Sequence, residues 1–268
     1  LTIYIDNDDV PIVVDPAKLS VDETDLDLPG DLTVNGQLEA DFGTDGPGTF
    51  GSNGDFEFSG SALNGALTSD GVVVEVSEMP NGQGYVGMAG SEIIFTLVIN
   101  EDGSYEFELV GTLDHADATD HDDEITLSFG FDAMDADDDS ASGTIEICVN
   151  DDGPMAVEDI DTVTDTSTSG NVLDNDDVGA DDPGSVKQVT FENTSVDVPT
   201  SGTVTIDGTY GTLEIAADGS YTYTSFGGND GTDVFTYVMC DSDGDTSTST
   251  LTIYIDNDDV PIVVDPAK

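Results

Sequence analysis

Two ladders of alternating aspartates are the residues of this chain most suited to chemistry. They stand at Asp135, Asp137 and Asp139 and at Asp241, Asp243 and Asp245. Aspartate is short, so alternating aspartates in one turn can direct several carboxylates at one point, and Ca²⁺ takes about six to eight oxygen ligands. The helices and the terminal bidentate glutamate of an EF-hand are missing. The spacing predicts calcium sites, with a solvated acidic turn as the alternative.

Further acidic residues flank three proline-containing segments that we predict to be domain linkers. They are Asp8, Asp9, Asp22 and Glu23 around the first, Asp151, Asp152, Glu158 and Asp159 around the second, and Asp258 and Asp259 in the third. Acids on both sides of a linker can share one ion and fix the angle between domains. The alternative is that they only keep the linker soluble. A third candidate is the Asx-rich loop 171–177, with Asp174 and Asp176 as ligands.

Two histidines, His115 and His121, lie in the segment LDHADATDHDDE. This spacing could serve zinc or another transition metal, but no third nitrogen or thiolate follows at a recognisable distance. We therefore favour a polar loop beside a calcium site. The sequence has no nucleophile elbow, metalloprotease helix or phosphate-binding glycine loop, and an enzyme is not expected.

The charge of the chain limits its partners. There are 59 acidic residues against 3 lysines and no arginine, which gives a formal net charge of −56. This sign excludes nucleic acid and anionic membrane surfaces, and no apolar run is long enough for direct membrane insertion. Like charges about 6 Å apart repel by roughly 1–3 kcal/mol, so the fold needs a counterion. Salt adaptation would disperse the acids, whereas clustered aspartates favour Ca²⁺ as the cofactor.

Alternating apolar residues predict an all-β fold. Clear examples are 95–99, 105–109, 125–131 and 251–255, and Asp102-Gly103 and Asp218-Gly219 predict hairpin turns between alternating strands. The two halves share the order of a hairpin, a strand, an aspartate ladder, a final strand and an acidic linker. We predict two tandem Ig-like or cadherin-like β-sandwich domains joined by short acidic proline linkers. Cys148 and Cys240 are expected to be small buried hydrophobes.

An internal repeat sets the expected organisation. Residues 1–18 recur without change at 251–268, which indicates a tandem array of whole domains. We predict that residues 1–10 close the preceding repeat, that the domains span 11–151 and 155–257, and that 258–268 open the next repeat. The terminal strands are expected to fray or to be ordered by a neighbouring molecule. Neighbouring identical repeats of the same chain are the expected partners.

The second half resembles a known family through three motifs: GNVLDND, GTYGTLEIAADGSYTYT and DVFTYVMCDSDGDTSTSTLTIYI. They resemble the VCBS or bacterial cadherin-like repeat. In the first half, LDHADATDHDDEITLSFGF and DADDDSASGTIEICVNDDGP are similar to repeats of large type I-secreted surface proteins. The chain departs from the pattern at Asp138, where glycine is common, and at Cys240.

The resemblance implies an extender repeat of an RTX adhesin, including the long adhesins of the Marinobacter type. These are giant extracellular proteins on the surface of Gram-negative bacteria, and calcium stiffens their tandem β-sandwiches. Such a repeat would project a ligand-binding tip that lies outside this fragment. The alternative is a calcium-dependent glycan-binding module. The inward positions of the aromatics and the absence of tryptophan count against it.

Overall fold

The computed structural model describes residues 9–256, apart from Asp45 and Asn229. The predicted strand 1–5, the terminal segment 258–268 and three candidate ligands, Asp8, Asp258 and Asp259, lie outside these residues. Regular structure in the described part consists of β-strands and two short 3₁₀ helices, which confirms the all-β prediction. The chain divides into two compact units between Asp152 and Gly153.

The described residues of unit 1 form a β-sandwich of twelve strands. They are β1 (Ile12–Val14), β2 (Leu19–Asp22), β3 (Leu32–Gln37), β4 (Glu39–Asp41), β5 (Thr49–Gly60), β6 (Thr68–Ser69), β7 (Val72–Glu78), β8 (Gly84–Ala89), β9 (Glu92–Ile99), β10 (Ser104–Leu109), β11 (Glu124–Met134) and β12 (Ser140–Asn150). One sheet has the order β3-β10-β9-β8-β7-β6 and the other β2-β12-β11-β5, while β1 pairs with β4. The 3₁₀ helices are Glu23–Asp27 and Leu63–Gly65.

In the part of unit 2 that the structure describes, nine strands form a second β-sandwich. They are β13 (Asp159–Val163), β14 (Ser167–Asn171), β15 (Ser185–Phe191), β16 (Thr194–Asp197), β17 (Thr203–Asp207), β18 (Gly211–Ala216), β19 (Ser220–Ser225), β20 (Gly231–Cys240) and β21 (Thr246–Ile255). One sheet has the order β13-β21-β20-β15-β16 and the other β14-β19-β18-β17.

The two units follow one plan, which places their aspartate ladders alike. An early strand pairs in parallel with the final strand, β2 with β12 and β13 with β21. The last two strands form a long antiparallel hairpin, β11 with β12 and β20 with β21. A shorter hairpin precedes it in each unit, and its turn holds Asp102-Gly103 or Asp218-Gly219 as predicted. Each ladder is therefore the turn of the closing hairpin.

Alternation along the strands places the apolar side chains in the core. In β11 the side chains of Ile125, Leu127, Phe129 and Phe131 are completely buried. The ring of Phe129 packs against four other rings, with centroids 5.2–6.1 Å away, those of Phe56, Tyr85, Phe95 and Phe107. Within the described part of the chain, no helix has the length and apolar character needed to cross a membrane.

Replacing the central ring of unit 1 tests this packing. We expect Phe129→Ala to lower the free energy of unfolding by about 3–5 kcal/mol, because it removes buried area and leaves a cavity between aromatic rings. Denaturant unfolding followed by fluorescence measures the change. Phe226→Ala is the control, since Phe226 is 62% exposed. Equal losses in the two variants would contradict the assigned core.

Candidate metal centres

The first ladder is the turn between β11 and β12. The Asp135 amide donates to the Asp139 carbonyl oxygen at 3.0 Å. Oδ1 of Asp135 accepts from the amides of Asp137 at 3.3 Å and Asp139 at 2.9 Å. Each of these three residues offers a carboxylate oxygen within 4.8 Å of those of the other two. The structure thus brings the three predicted ligands together.

A buried oxygen of Asp135 makes this turn suitable for a cation. Asp135 is 6% exposed, and its Oδ2 has no hydrogen-bond partner among the described residues. Leaving a buried charged oxygen without a partner is costly. Carboxylate oxygens are the ligands that Ca²⁺ prefers, and backbone carbonyls and water complete its shell. The donor set therefore fits calcium.

Asp138 stands where the turn requires a left-handed backbone. Its φ is +75°, and Gly244, in the equivalent turn of unit 2, has φ +121°. The departure from the glycine pattern noted in the sequence has therefore not changed the path of the turn. Its cost is backbone strain, because a Cβ atom crowds the carbonyl oxygen in this conformation.

Two substitutions separate that strain from charge. Asp138→Gly and Asp138→Ala remove the same exposed carboxylate, but only glycine accepts the left-handed backbone without a Cβ clash. We expect the glycine variant to be more stable than the alanine variant by about 1 kcal/mol. Thermal melting in chelator measures the difference. A more stable alanine variant would show that this turn carries no strain.

The second ladder is the turn between β20 and β21. Asp241 is 5% exposed, and Asp245 is 2% exposed. The Asp241 amide donates to the Asp245 carbonyl oxygen at 3.3 Å, and the Gly244 amide donates to Asp241 Oδ1 at 2.9 Å. Burial, followed by the nearby carboxylates of Asp243 and Asp245, raises the pKa of Asp241 to about 8. Ionised Asp241 is therefore strongly disfavoured unless a cation is present.

Asp233 shows how this fold stabilises a buried carboxylate by hydrogen bonds alone. It is 1% exposed and accepts from the Tyr223 hydroxyl at 2.6 Å and the backbone amides of Thr209 at 2.9 Å and Tyr210 at 3.0 Å. In the two ladders, by contrast, Asp135 and Asp241 accept backbone amides of their own turns. This contrast separates a structural aspartate from candidate metal ligands of similar burial.

A third acidic cluster joins β13 to the loop after β14. Asp176 Oδ1 accepts from the Val157 amide at 2.7 Å, and Oδ2 accepts from the Tyr237 hydroxyl at 2.9 Å. Burial, followed by the charges of Asp176 and Asp174, raises the pKa of Asp159 to about 6, and the Tyr237 hydroxyl offsets part of the rise. The sequence predicted the loop and Asp159 as parts of separate sites, and it gave no indication of Tyr237.

The remaining linker residues have varied surroundings. Exposed Asp9 accepts from the Thr44 hydroxyl at 2.8 Å. Asp22 caps the first 3₁₀ helix through the amide two residues further on. Asp151 and Asp152 are buried just after β12, and the Asp152 amide donates to Asp151 Oδ1 at 2.9 Å. Glu158 is exposed, and its carbonyl oxygen accepts from the Asn175 side chain at 3.2 Å.

Another cluster, with a histidine at its centre, lies inside unit 1. Glu23, His115 and Asp151 are each at most 2% exposed, and each offers a ligand atom within 4.8 Å of the others. His115 Nε2 is 3.9 Å from Glu23 Oε1, and Nδ1 is 2.5 Å from Asp123 Oδ1. From the sequence, Glu23 and Asp151 were predicted as linker residues, and Asp123 was not predicted as a site residue. The motif LDHADATDHDDE nevertheless contains Asp123 together with His115.

One lysine contributes locally to charge balance. Lys18 Nζ lies 2.6 Å from Glu124 Oε1, and this hydrogen bond lowers the pKa of Glu124 to about 2. Both side chains are over one third exposed, so solvent screening limits the pair to about 1 kcal/mol at most. A pair of this strength does not offset the charge of 59 acidic residues.

Comparison with protein families finds one match in each half of the chain. Residues 150–257 match the family model of the bacterial cadherin-like domain, and residues 18–148 match a domain of unknown function, DUF5801. Together the matches fit the repeats of bacterial cadherin-like adhesins, whose domains are extracellular. No curated protein matches the chain.

Several solved structures are similar to this chain at low sequence identity. Extracellular cadherin domains 3–6 of protocadherin gamma B2 have 11% identity and a TM-score of 0.29, over 94% of this chain and 53% of that chain. The Ig1-2 module of the Drosophila receptor tyrosine phosphatase DLAR has 11% identity and a TM-score of 0.23, over 92% and 100%. The human desmocollin-1 ectodomain has 12% identity and a TM-score of 0.25, over 94% of this chain and 41% of that chain. This chain thus spans about half of the protocadherin chain, and scores this low carry no functional argument.

The raised pKa of Asp241 sets an expected pH dependence. Unfolded Asp241 ionises at about pH 4, whereas folded Asp241 keeps its proton to about pH 8. Between these values the folded state binds more protons, so rising pH favours unfolding. We expect the melting temperature in chelator to fall from about pH 5 to about pH 8.

Matched variants test whether Asp241 causes this fall of the melting temperature with pH. Asp241→Asn should flatten it, because the amide does not ionise. Asp165→Asn removes an exposed aspartate of the same unit and should leave it unchanged. Differential scanning calorimetry at several pH values gives the comparison. A melting temperature that rises with pH in wild-type chain and chelator would refute the expectation.

Proposed function

We propose that this chain is an extender repeat of a large calcium-dependent bacterial surface adhesin of the RTX class. Ca²⁺ bound at its loops and at the junctions between domains would stiffen the repeat and project a ligand-binding tip from the cell. The family matches support an adhesin-type extracellular repeat. Families of this adhesion-type fold are usually non-enzymatic, and the proposed role is mechanical.

The observation that carries the calcium requirement is the buried Oδ2 of Asp135. This oxygen has no hydrogen-bond partner among the described residues and lies in a cluster of three carboxylates. A chain with 3 basic residues cannot supply a lysine or arginine to each such site. A divalent cation of the medium is the available partner.

The tandem organisation supports the extender role. The final strand and linker of unit 2 recur at the start of the chain, since residues 1–18 and 251–268 are identical. The neighbours of one repeat would then be further copies in the same polypeptide. Reach would scale with their number, which suits a stalk.

The energetics fit an ion that acts after secretion. Extracellular modules bind Ca²⁺ with dissociation constants of about 10⁻⁴–10⁻³ M. At about 10 mM calcium, each such site would stabilise the folded state by about 1.4–2.7 kcal/mol. Where calcium is scarce, carboxylate repulsion would oppose folding and keep the chain extended.

Scattering and melting of a chain with two or more repeats test the proposal. We expect calcium to raise the melting temperature and to increase the maximum dimension and rigidity in small-angle X-ray scattering, and chelator to reverse both. Mg²⁺ at equal ionic strength controls for screening of surface charge. Values unchanged by chelator would rule out the calcium-stiffened stalk.

Ladder variants locate the effect. Asp135→Asn and Asp241→Asn should each reduce the calcium-induced rise in melting temperature, because each removes a carboxylate ligand. Asp165→Asn should keep the full rise. Isothermal titration calorimetry with calcium gives the sites lost per chain. An equal rise in all three variants would place the stabilising ions outside the ladders.

A further inference from the structure

The cluster around His115 differs in donor chemistry from the acidic ladders. We propose that Glu23, His115 and Asp151 form a site for one divalent transition metal ion of the zinc class. The site lies wholly inside unit 1 and uses a nitrogen ligand, which the calcium ladders do not have. Glu23 and Asp151 were predicted from the sequence as calcium ligands of the linkers, so the test below is made with calcium present. A transition metal there would act as a structural cross-link of the sandwich.

The fold brings the three ligands together from distant parts of the sequence. Glu23 follows β2, His115 lies in the connection from β10 to β11, and Asp151 follows β12. The parallel pairing of β2 with β12 places Asp22 opposite Asn150. The residues that directly follow these two strands, Glu23 and Asp151, are two of the ligands. The Leu113 amide fixes Glu23 by donating to its Oε1 at 2.9 Å.

Asp123 gives His115 the surroundings of a metal ligand. Its Oδ1 lies 2.5 Å from His115 Nδ1, which leaves Nε2 directed toward Glu23. A metal-binding histidine usually donates its other ring N–H to a carboxylate or carbonyl oxygen, which sets the tautomer and ring orientation. The Asp123 carbonyl oxygen also accepts from the Asp151 amide at 3.0 Å. Asp123 is thus a positioning residue for two ligands.

Charge in this buried cluster favours a cation. Glu23, Asp123 and Asp151 are at most 8% exposed, and the imidazole of His115, which lies beside Glu23 and Asp123, supplies at most one positive charge. Three ionised carboxylates around it would leave a net negative charge away from water, which is unfavourable. A bound divalent ion with a neutral imidazole would cancel most of that charge.

Distance and donor type select the metal. An ion about 2.1 Å from each donor holds pairs of donors about 3.0–4.2 Å apart. The separation of 3.9 Å between His115 Nε2 and Glu23 Oε1 lies in this range, and all three donors are within 4.8 Å. Zn²⁺ accepts imidazole and carboxylate in low coordination number, whereas Ca²⁺ needs more oxygen ligands. Three compact donors, one of them a nitrogen, fit zinc better.

The two histidines provide a direct test. In full chain labelled with ¹⁵N-histidine, with calcium saturating and at about pH 7.5, ZnCl₂ is added up to two equivalents per chain. We expect the Nε2 resonance of one histidine to shift, saturating at one zinc per chain. His115→Gln should abolish this event, and His121→Gln, the matched control, should keep it.

A milder variant covers the case in which His115→Gln does not fold. Asp123→Asn should keep the cluster packed and weaken zinc binding by about 10–100-fold, measured by competition with a chromogenic chelator. Circular dichroism verifies the fold of each variant. No zinc-dependent shift in wild-type chain, a shift at His121 alone, or zinc binding unaffected in folded His115→Gln and Asp123→Asn chains would each overturn the proposal. So would displacement of the zinc by millimolar calcium.

Discussion

The structure depends on placing carboxylates in the interior of a chain that has few cations of its own. In both closing hairpins the first aspartate of the turn is buried, and its Oδ1 accepts backbone amides that shape the turn. The side chain that orders the backbone is thus the one that carries an unfavourable buried charge. Because each turn joins two long core strands, the charge balance of a turn acts on the packing of its whole unit. An ion bound at either turn would therefore stabilise the folded unit.

The fold handles buried acids in distinct ways according to the donors nearby. Asp233 is surrounded by a hydroxyl and two amides, and it needs nothing further. Asp241 has one amide on Oδ1 and two other aspartates beside it, so a proton or a metal ion must complete its surroundings. In the cluster around His115, the imidazole ring lies beside the buried carboxylates of Glu23 and Asp123. Burial alone therefore does not separate a candidate metal ligand from a structural carboxylate such as Asp233; the hydrogen-bond donors around each carboxylate also have to be compared.

Local features of the structure could be predicted from the sequence, and nonlocal ones could not. Strand β11 follows from alternation of apolar residues, and the Asp-Gly hairpins follow from turn chemistry, because both depend on neighbouring residues. The ladders are also local, since their ligands lie within five positions. Glu23 meets Asp151 only because β2 pairs with β12, and Asp159 meets Asp176 only because of how β13 is placed. With 59 acidic residues, sequence spacing could not select these pairs from the alternatives.

The parallel pairing of an early strand with the final strand determines how unit 2 would respond to tension. In unit 2, β13 pairs with β21 from Asp159 opposite Leu251 to Val163 opposite Ile255. The polypeptide enters at the start of β13 and leaves at the end of β21, so tension pulls these adjacent strands in opposite directions along their length. Hydrogen bonds of a parallel pair lie across that direction. The hydrogen bonds between β13 and β21 are therefore loaded in shear, and they resist together rather than opening one after another.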